Sequence, residues 1–369
     1  LQRLTRSLAS AALLAFLATI PAAGELTSGT PAPEFPQGAL WLGTGGKPLT
    51  MTQLKGKVVL VDFWDYTCIN CIRTFPHLKD WYARYRSAGL EIVGVHKGEF
   101  AFAADPKNVE RAYARLKIPY PVLVDVNDKV WKAYDSNTWP NSFLIDRRGV
   151  IRVIHQGEGN YGTVETEIQK LLMQDHRELD FSRFMLPLDT PASGPECGEQ
   201  SSEIFVGTAR GSLWGGQIGN REGFQPGKVV DYAATLQRPK RGFFVQGQWQ
   251  NNPDDFESVT GSRPDKKVLL GIPYMGRDVY AVLSRSSKSP VEIVVTHDGK
   301  PVPEGIRGKD VREDPSGQTV LMIDEPRMYY LITKEDDQKH ELKLFPLAAG
   351  ARVNSFAFGN LCLEEFDRL

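Results

Sequence analysis

Residues 57–85 read KVVLVDFWDYTCINCIRTFPHLKDWYARY, and a change of hydrophobic period inside this stretch decides the fold. From Lys57 to Trp64 the residues are apolar almost without a break, the pattern of a central strand covered on both faces. From Cys71 to Tyr85 the apolar residues Ile72, Phe75, Leu78, Trp81 and Tyr82 recur at helical spacing with charges opposite, which predicts an amphipathic helix. At the junction stand Cys68 and Cys71. A dithiol there puts Cys68 at a helix N-terminus, where free N–H groups and the helix dipole favour a thiolate, and Cys71 one turn deeper. Such a pair supplies one exposed thiolate that attacks a substrate disulfide and a second thiol that resolves the mixed disulfide. Half a zinc site and an inert pair are the blander readings. Zinc needs two more ligands, and with no second CxxC and no close Cys/His pair, neither a metal nor a cofactor is expected.

Three neighbours strengthen the redox reading. Asp62 is an acid inside an otherwise apolar strand, so its pKa should rise, and six residues before Cys68 it lies behind the dithiol as a proton carrier for Cys71. Pro76 falls inside the helix and should kink it. Trp139-Pro140 precedes the next predicted strand, where a cis proline would expose a backbone edge to an extended substrate segment. Asp65 stands just ahead of the dithiol, where it either disfavours the Cys68 thiolate by like charge or is a solvated loop acid. His96 and Glu99, after the second long strand, are candidates to line the site or hold a partner.

Working outward, residues 25–185 alternate strands and helices. Strands are expected at Lys57–Trp64, Leu90–Val95, Val122–Asp125, Ser142–Asp146 and Ile151–His155, and helices at Cys71–Tyr85, Asn108–Lys117 and Val164–Glu178, the order of an α/β thioredoxin-like sandwich. Residues 33–54 are expected to add a short hairpin with Gly45-Gly46 at its tip. Residues 186–200 turn rich in Pro, Gly and Ser, which marks a linker. Residues 201–369 then lose helical period and show eight or more short β-rich runs, with a strong turn signal at Asp298-Gly299, as in an all-β sandwich of jelly-roll type.

The first 24 residues have Arg3 and Arg6 ahead of an apolar run ending at Ile20 and small residues at Ala22 to Gly24, the pattern of a secretory signal peptide. That predicts an extracytoplasmic, periplasmic location, or an N-terminal anchor if the leader is retained. Export lets disulfides persist. Cys197 and Cys362 flank the β region, and antiparallel terminal strands would bring them within reach of a structural disulfide. Forty-four Lys and Arg nearly balance 45 Asp and Glu, so no global field favours nucleic acid.

Longer strings sharpen this picture. WDYTCINCIRTFPHLKDWY (64–82), GVHKGEFAF (94–102), WPNSFLID (139–146) and GEGNY (157–161), with DEPRMYYLI (324–332) and SFAFG (355–359) in the second half, resemble the exported C-terminal region of DipZ-type thiol:disulfide interchange proteins. The resemblance implies a TlpA-class thioredoxin-like domain followed by a β-sandwich similar to carbohydrate-binding modules. It implies disulfide exchange by Cys68 and Cys71 with exported proteins, as in cytochrome c maturation, and makes Trp214, Trp249 and Tyr274 either a stacking platform for a carbohydrate ligand of the sandwich or residues of its core. Members of that family often carry a membrane electron-conducting domain ahead of this region. A signal-like segment takes its place here, so the expected electron donor is a separate membrane protein. A thiol peroxidase, and a glycan- or partner-binding adaptor with a vestigial redox domain, are the alternative readings.

Overall fold

The computed structural model describes residues 26–174, 198–263, 267–336 and 338–360. The leader, most of the linker, Cys197 and Cys362 lie outside them. In the first half, ten elements follow one another: β1 Leu40–Leu42, β2 Val58–Trp64, α1 Ile69–Tyr85, β3 Leu90–His96, α2 Pro106–Arg115, β4 Val122–Val124, α3 Lys129–Ala133, β5 Asn141–Ile145, β6 Ile151–Gln156 and α4 Tyr161–Met173. The sheet order is β1-β4-β3-β2-β5-β6. Strands β2, β3 and β4 run parallel, while β5 is antiparallel to β2 and β6 to β5. All seven residues of β2 are buried, because helices or loops cover both faces, and this is why its sequence is continuously apolar. Pro76 sits inside α1 without ending it.

One local expectation fails, and one short helix is unforeseen. Residues 33–54 form no hairpin: β1 pairs antiparallel with β4, across the edge of the main sheet. The reason is burial of Trp41, whose ring meets Phe35 edge-on at 5.4 Å, while Glu34 ties the rest of the segment down by accepting hydrogen bonds from the amides of Met51 and Thr52. The short α3 had no periodic signal. It starts because the Asp125 carboxylate accepts from the amides of Lys129, Val130 and Trp131, satisfying donors that a helix start leaves free.

The second half contains β7 Ile204–Phe205, β8 Gln217–Ile218, β9 Val229–Tyr232, β10 Gly242–Asn251, β11 Phe256–Ser258, β12 Leu269–Tyr274, β13 Asp278–Arg285, β14 Val291–His297, β15 Lys300–Pro301, β16 Val311–Glu313, β17 Thr319–Ile323, β18 Arg327–Ile332, β19 His340–Pro346 and β20 Ala351–Gly359. The main hydrogen-bonded path runs β16-β17-β14-β19-β12-β10-β11-β20-β13-β18. The long β10 joins its two layers: Phe244–Gln246 pairs with β12, and Trp249–Asn251 with β11. Gly247 lies between, at φ 81°, where an added Cβ would stand 2.8 Å from the Lys267 carbonyl oxygen. Only glycine turns the strand there cheaply. Residues of both layers, such as Leu270, Ile293 and Leu344 from one and Ala281, Val353 and Phe356 from the other, share one buried core. This is the expected all-β sandwich.

The two halves pack together. Phe205, Tyr280, Val282 and Met328 of the sandwich belong to the same buried cluster as Ile72, Phe75 and Tyr66 beside α1. Arg210 seals one side of this contact. Its guanidinium stacks over Phe100 at 4.6 Å and Phe205 at 4.1 Å and donates to Glu99 Oε1 at 2.8 Å. Burial pushes the Glu99 carboxyl up to about 7 against the pull of Arg210. Arg210→Ala is expected to destabilise the chain by about 2 kcal/mol, the worth of a charge-assisted hydrogen bond and stacked contact, and Glu99→Gln in the same protein should add less than it does alone. Denaturant titration of the four proteins measures this; additive losses would mean that the pair is not coupled.

Candidate functional site

Alternation along β2 assigns its residues to two faces. Val59, Val61 and Phe63 enter one core, and Val58, Leu60 and Trp64 enter the other, shared with α1. Asp62 has the parity of the second set, so the strand period aims it at the underside of α1. It is 1% exposed, and neither carboxylate oxygen has a hydrogen-bond partner in the protein. Burial raises its pKa well above the ordinary carboxylate range. Cys71 is equally buried. Its thiol is pushed well up by burial first, then by its neighbour Cys68, with the charge of Asp62 acting in the same direction. Two buried acids that oppose each other's ionisation are suited to sharing one proton.

Cys68 caps α1 in an extended conformation, φ −91° and ψ 115°. It is half-buried. Its Sγ accepts from the Cys71 amide at 3.3 Å, an interaction that favours negative charge on the sulfur, and lies 3.9 Å from the carbonyl oxygen of Trp139. The Trp139–Pro140 bond is cis. Trp139 is held by its indole N–H, which donates to the Lys97 carbonyl at 3.1 Å, and by Trp131 at 4.5 Å between ring centroids. Cys68, Cys71, Asp62 and the Trp139–Pro140 edge thus meet at one end of the sheet.

Asp65 is neither solvated nor free to act on Cys68 as an unpaired charge. It is fully buried, and its two oxygens accept from the amides of Thr67 at 2.9 Å and Glu99 at 2.5 Å, so it braces the loop ahead of the dithiol. His96 is buried between Trp64 and Tyr66, a core position. Glu99 does hold a partner, but that partner is Arg210 of the same chain.

Arg73 was not singled out from the sequence. One turn beyond Cys68, it donates to both oxygens of Glu158, at 2.8 and 2.7 Å, and to Asn70 at 2.7 Å. Burial opposes its charge, yet the Glu158 carboxylate outweighs that and raises its pKa, with Cys68 contributing in the same sense. A fixed cation beside the dithiol follows. The signal available was Glu158 inside GEGNY, one of the strings shared with the resembling family.

The aromatic platform expected in the sandwich is absent at two of its three positions. Trp249 is 0% exposed and Tyr274 2%, because both point into the sandwich interior and cannot stack on a sugar; the Trp214 side chain lies outside what is described.

Residues 28–154 match the AhpC/TSA family and residues 201–359 the family of the thioredoxin like C-terminal domain. Protein DipZ of Mycobacterium bovis and of Mycobacterium tuberculosis are each 34% identical over 290 residues, 78% of this chain, and the chain spans 39% of their length. A solved thioredoxin domain of a thiol-disulfide oxidoreductase from Bacteroides vulgatus is 27% identical, with 39% of this chain and 99% of that one covered at a TM-score of 0.33. The thiol-disulfide oxidoreductase ResA of Bacillus subtilis is 34% identical over 131 residues, which cover 35% of this chain and 68% of ResA. ResA is covered over two thirds of its own length at that identity, and the chain therefore belongs to the thioredoxin-like thiol-disulfide oxidoreductases, the family of ResA, with DipZ as its relative through both halves.

Proposed function

We propose that the chain exchanges disulfides with exported proteins through Cys68 and Cys71. The observation that carries this reading is the Cys68 sulfur at the start of α1, accepting the Cys71 amide and facing the backbone edge of Trp139, with Cys71 buried behind it. The Cys68 thiolate attacks a substrate disulfide; a Cys68–substrate S–S bond forms as the substrate S–S bond breaks, and the leaving thiolate takes a proton. Cys71 passes its proton to Asp62 and attacks the Cys68 sulfur. The Cys68–Cys71 disulfide forms as the Cys68–substrate S–S bond breaks, the released thiolate takes up the proton held by Asp62, and the substrate leaves as a dithiol, two electrons having moved to it. A dithiol electron donor at the membrane returns them. The Trp139–Pro140 edge receives an extended segment of the substrate, and Arg73 supports negative charge at Cys68. Support for an exported location is the signal pattern of the first 24 residues; among the described residues no helix is long and apolar enough to cross a membrane.

A peroxidase of the AhpC/TSA kind would want Thr or Ser at position 65 and Pro at 61, where Asp65 and Val61 stand. The Asp65 carboxylate is already occupied by two backbone amides, which favours disulfide exchange. The adaptor reading loses support with the buried Trp249 and Tyr274.

Asp62→Asn is expected to slow dithiol turnover near neutral pH on the order of 10²-fold while leaving the fold intact. Stability should respond with a defined sign. Since the Asp62 pKa is raised by burial, the folded chain keeps a proton that the unfolded chain gives up above about pH 4, so the wild type loses stability as pH rises toward the folded pKa. The D62N protein should lack that loss. Insulin-reduction rates and denaturant midpoints across pH test both; an unchanged pH-rate profile would return Asp62 to a packing role.

A further inference from the structure

Away from the dithiol, one edge of the sandwich gathers two imidazoles and three carboxylates. The register of the sheet brings them there. Strand β14 ends at His297, paired beside Leu342 of β19, and His340 begins β19 opposite Tyr274 of β12. The turn residue Asp298, at φ 49°, follows His297 directly, and the loop after β18 delivers Glu335 and Asp336. The two imidazole rings lie 4.7 Å apart. Asp298 Oδ2 is 2.8 Å from His340 Nδ1 and 3.8 Å from His297 Nδ1, and one donor atom from each of the three residues lies within 4.8 Å of the others. Donors bound tetrahedrally at about 2.0–2.2 Å to a zinc ion stand roughly 3.3–3.6 Å apart.

Part of the cluster is also unsatisfied, although His340 is held on both ring nitrogens, by Asp298 and by Asp336 at 2.8 Å each. His297 is 8% exposed; its Nε2 lies 3.0 Å from Glu335 Oε2 but out of hydrogen-bond alignment, so both buried atoms lack a partner. The buried Tyr274 hydroxyl has none either, and it sits under the electrostatic influence of Glu335, Asp298 and Asp336. Polar atoms buried in this way cost free energy unless something engages them. A cation on the two Nδ1 atoms would fix both rings with their proton on Nε2. On His340 that proton meets Asp336 Oδ1 at 2.8 Å, the carboxylate–imidazole–metal relay of bound zinc, and on His297 it stands 3.0 Å from Glu335 Oε2, which a small turn of the ring would bring into line.

We propose that His297, His340 and Asp298 bind a divalent transition metal ion, Zn²⁺ above others, with Glu335 and Asp336 orienting the imidazoles from behind. Two imidazoles and one carboxylate suit Zn²⁺, whereas Ca²⁺ and Mg²⁺ prefer oxygen alone. The overlapping set of Glu335, Asp336 and His340 offers one nitrogen and is the poorer choice. Asp298 is about half exposed on its side chain, 47%, so the site is open to solvent on that side.

The test is equilibrium dialysis of the oxidised full-length chain against Zn²⁺, the Cys68–Cys71 disulfide removing those thiolates as competing ligands. One Zn²⁺ per chain is expected, undisplaced by excess Ca²⁺. His297→Ala and His340→Ala should each weaken it at least 100-fold, and Glu335→Gln roughly 10- to 100-fold, as loss of an orienting partner does. Zn²⁺ should raise the melting temperature of the wild type and leave that of the His340→Ala protein unmoved. Should the histidine variants not fold, Asp298→Asn, at the exposed ligand, must still weaken binding. Absence of Zn²⁺ from the wild type, or equal affinity in the wild type and in Asp298→Asn or His340→Ala, overturns the proposal.

Discussion

Mixed disulfides with substrate proteins are expected to accumulate in the Cys71→Ser protein and to vanish in the Cys68→Ser protein, whose dithiol turnover should fall to the uncatalysed background. The asymmetry follows from where the two sulfurs lie. Cys68 is half-buried, with its Sγ accepting a backbone amide and facing the Trp139 carbonyl, so it can reach an incoming disulfide and carry the charge of attack. Cys71 is 1% exposed and held protonated by burial and by Cys68; it has no route to a protein substrate and meets only the sulfur of Cys68. Without Cys71 the first exchange proceeds and the second cannot, so the intermediate is trapped. Without Cys68 no exchange starts. Non-reducing gel mobility of the trapped species and insulin-reduction rates give the two readouts. A Cys71→Ser protein that traps nothing while Cys68 still alkylates would reverse the assigned roles.

Replacing both Cys197 and Cys362 with Ser is expected to lower the stability of the sandwich by up to about 5 kcal/mol, the chain-entropy limit for closing a loop of nearly a whole domain. The two cysteines lie outside the described residues, but their neighbours meet. Strand β7 is antiparallel to β20, with Ile204 opposite Phe356 and Phe205 opposite Ser355. Beyond that pair, the Asn360 side chain donates to the Gly198 carbonyl at 3.0 Å, one residue from Cys197 and two from Cys362. The start of the sandwich therefore lies against its end, as a disulfide between these cysteines requires. Peptide mapping without reduction should recover them linked; unlinked, alkylatable Cys197 and Cys362 from natively exported protein would refute the bridge.

The features legible in the residues alone are local. The continuous apolar run of β2, the helical period of α1 and the CxxC between them specify a strand, a helix and a dithiol at their junction, since each depends on contacts within a few residues. Asp62 was legible for the same reason: an acid inside a buried strand has few uses, and the period of two states which face it shares. The thioredoxin-like order and the many short strands of the second half followed from periods and turn residues. Every relation between distant segments, by contrast, came from the folded chain. Residues 40–42 look like half of a hairpin until the edge of β4 is available to pair with them. Asp65 reads as a loop acid until the amides of Thr67 and Glu99 converge on it. Trp249 and Tyr274 could face a sugar or the core, because alternation fixes which residues share a face but not which face is inside. Arg210 has no evident role until Glu99, Phe100 and Phe205 surround it, and His297 and His340 become neighbours only when β14 pairs with β19. Backbone hydrogen bonding between strands is indifferent to side-chain identity, so such pairings are chosen by burial summed over the whole sandwich, a quantity that no short stretch of sequence contains.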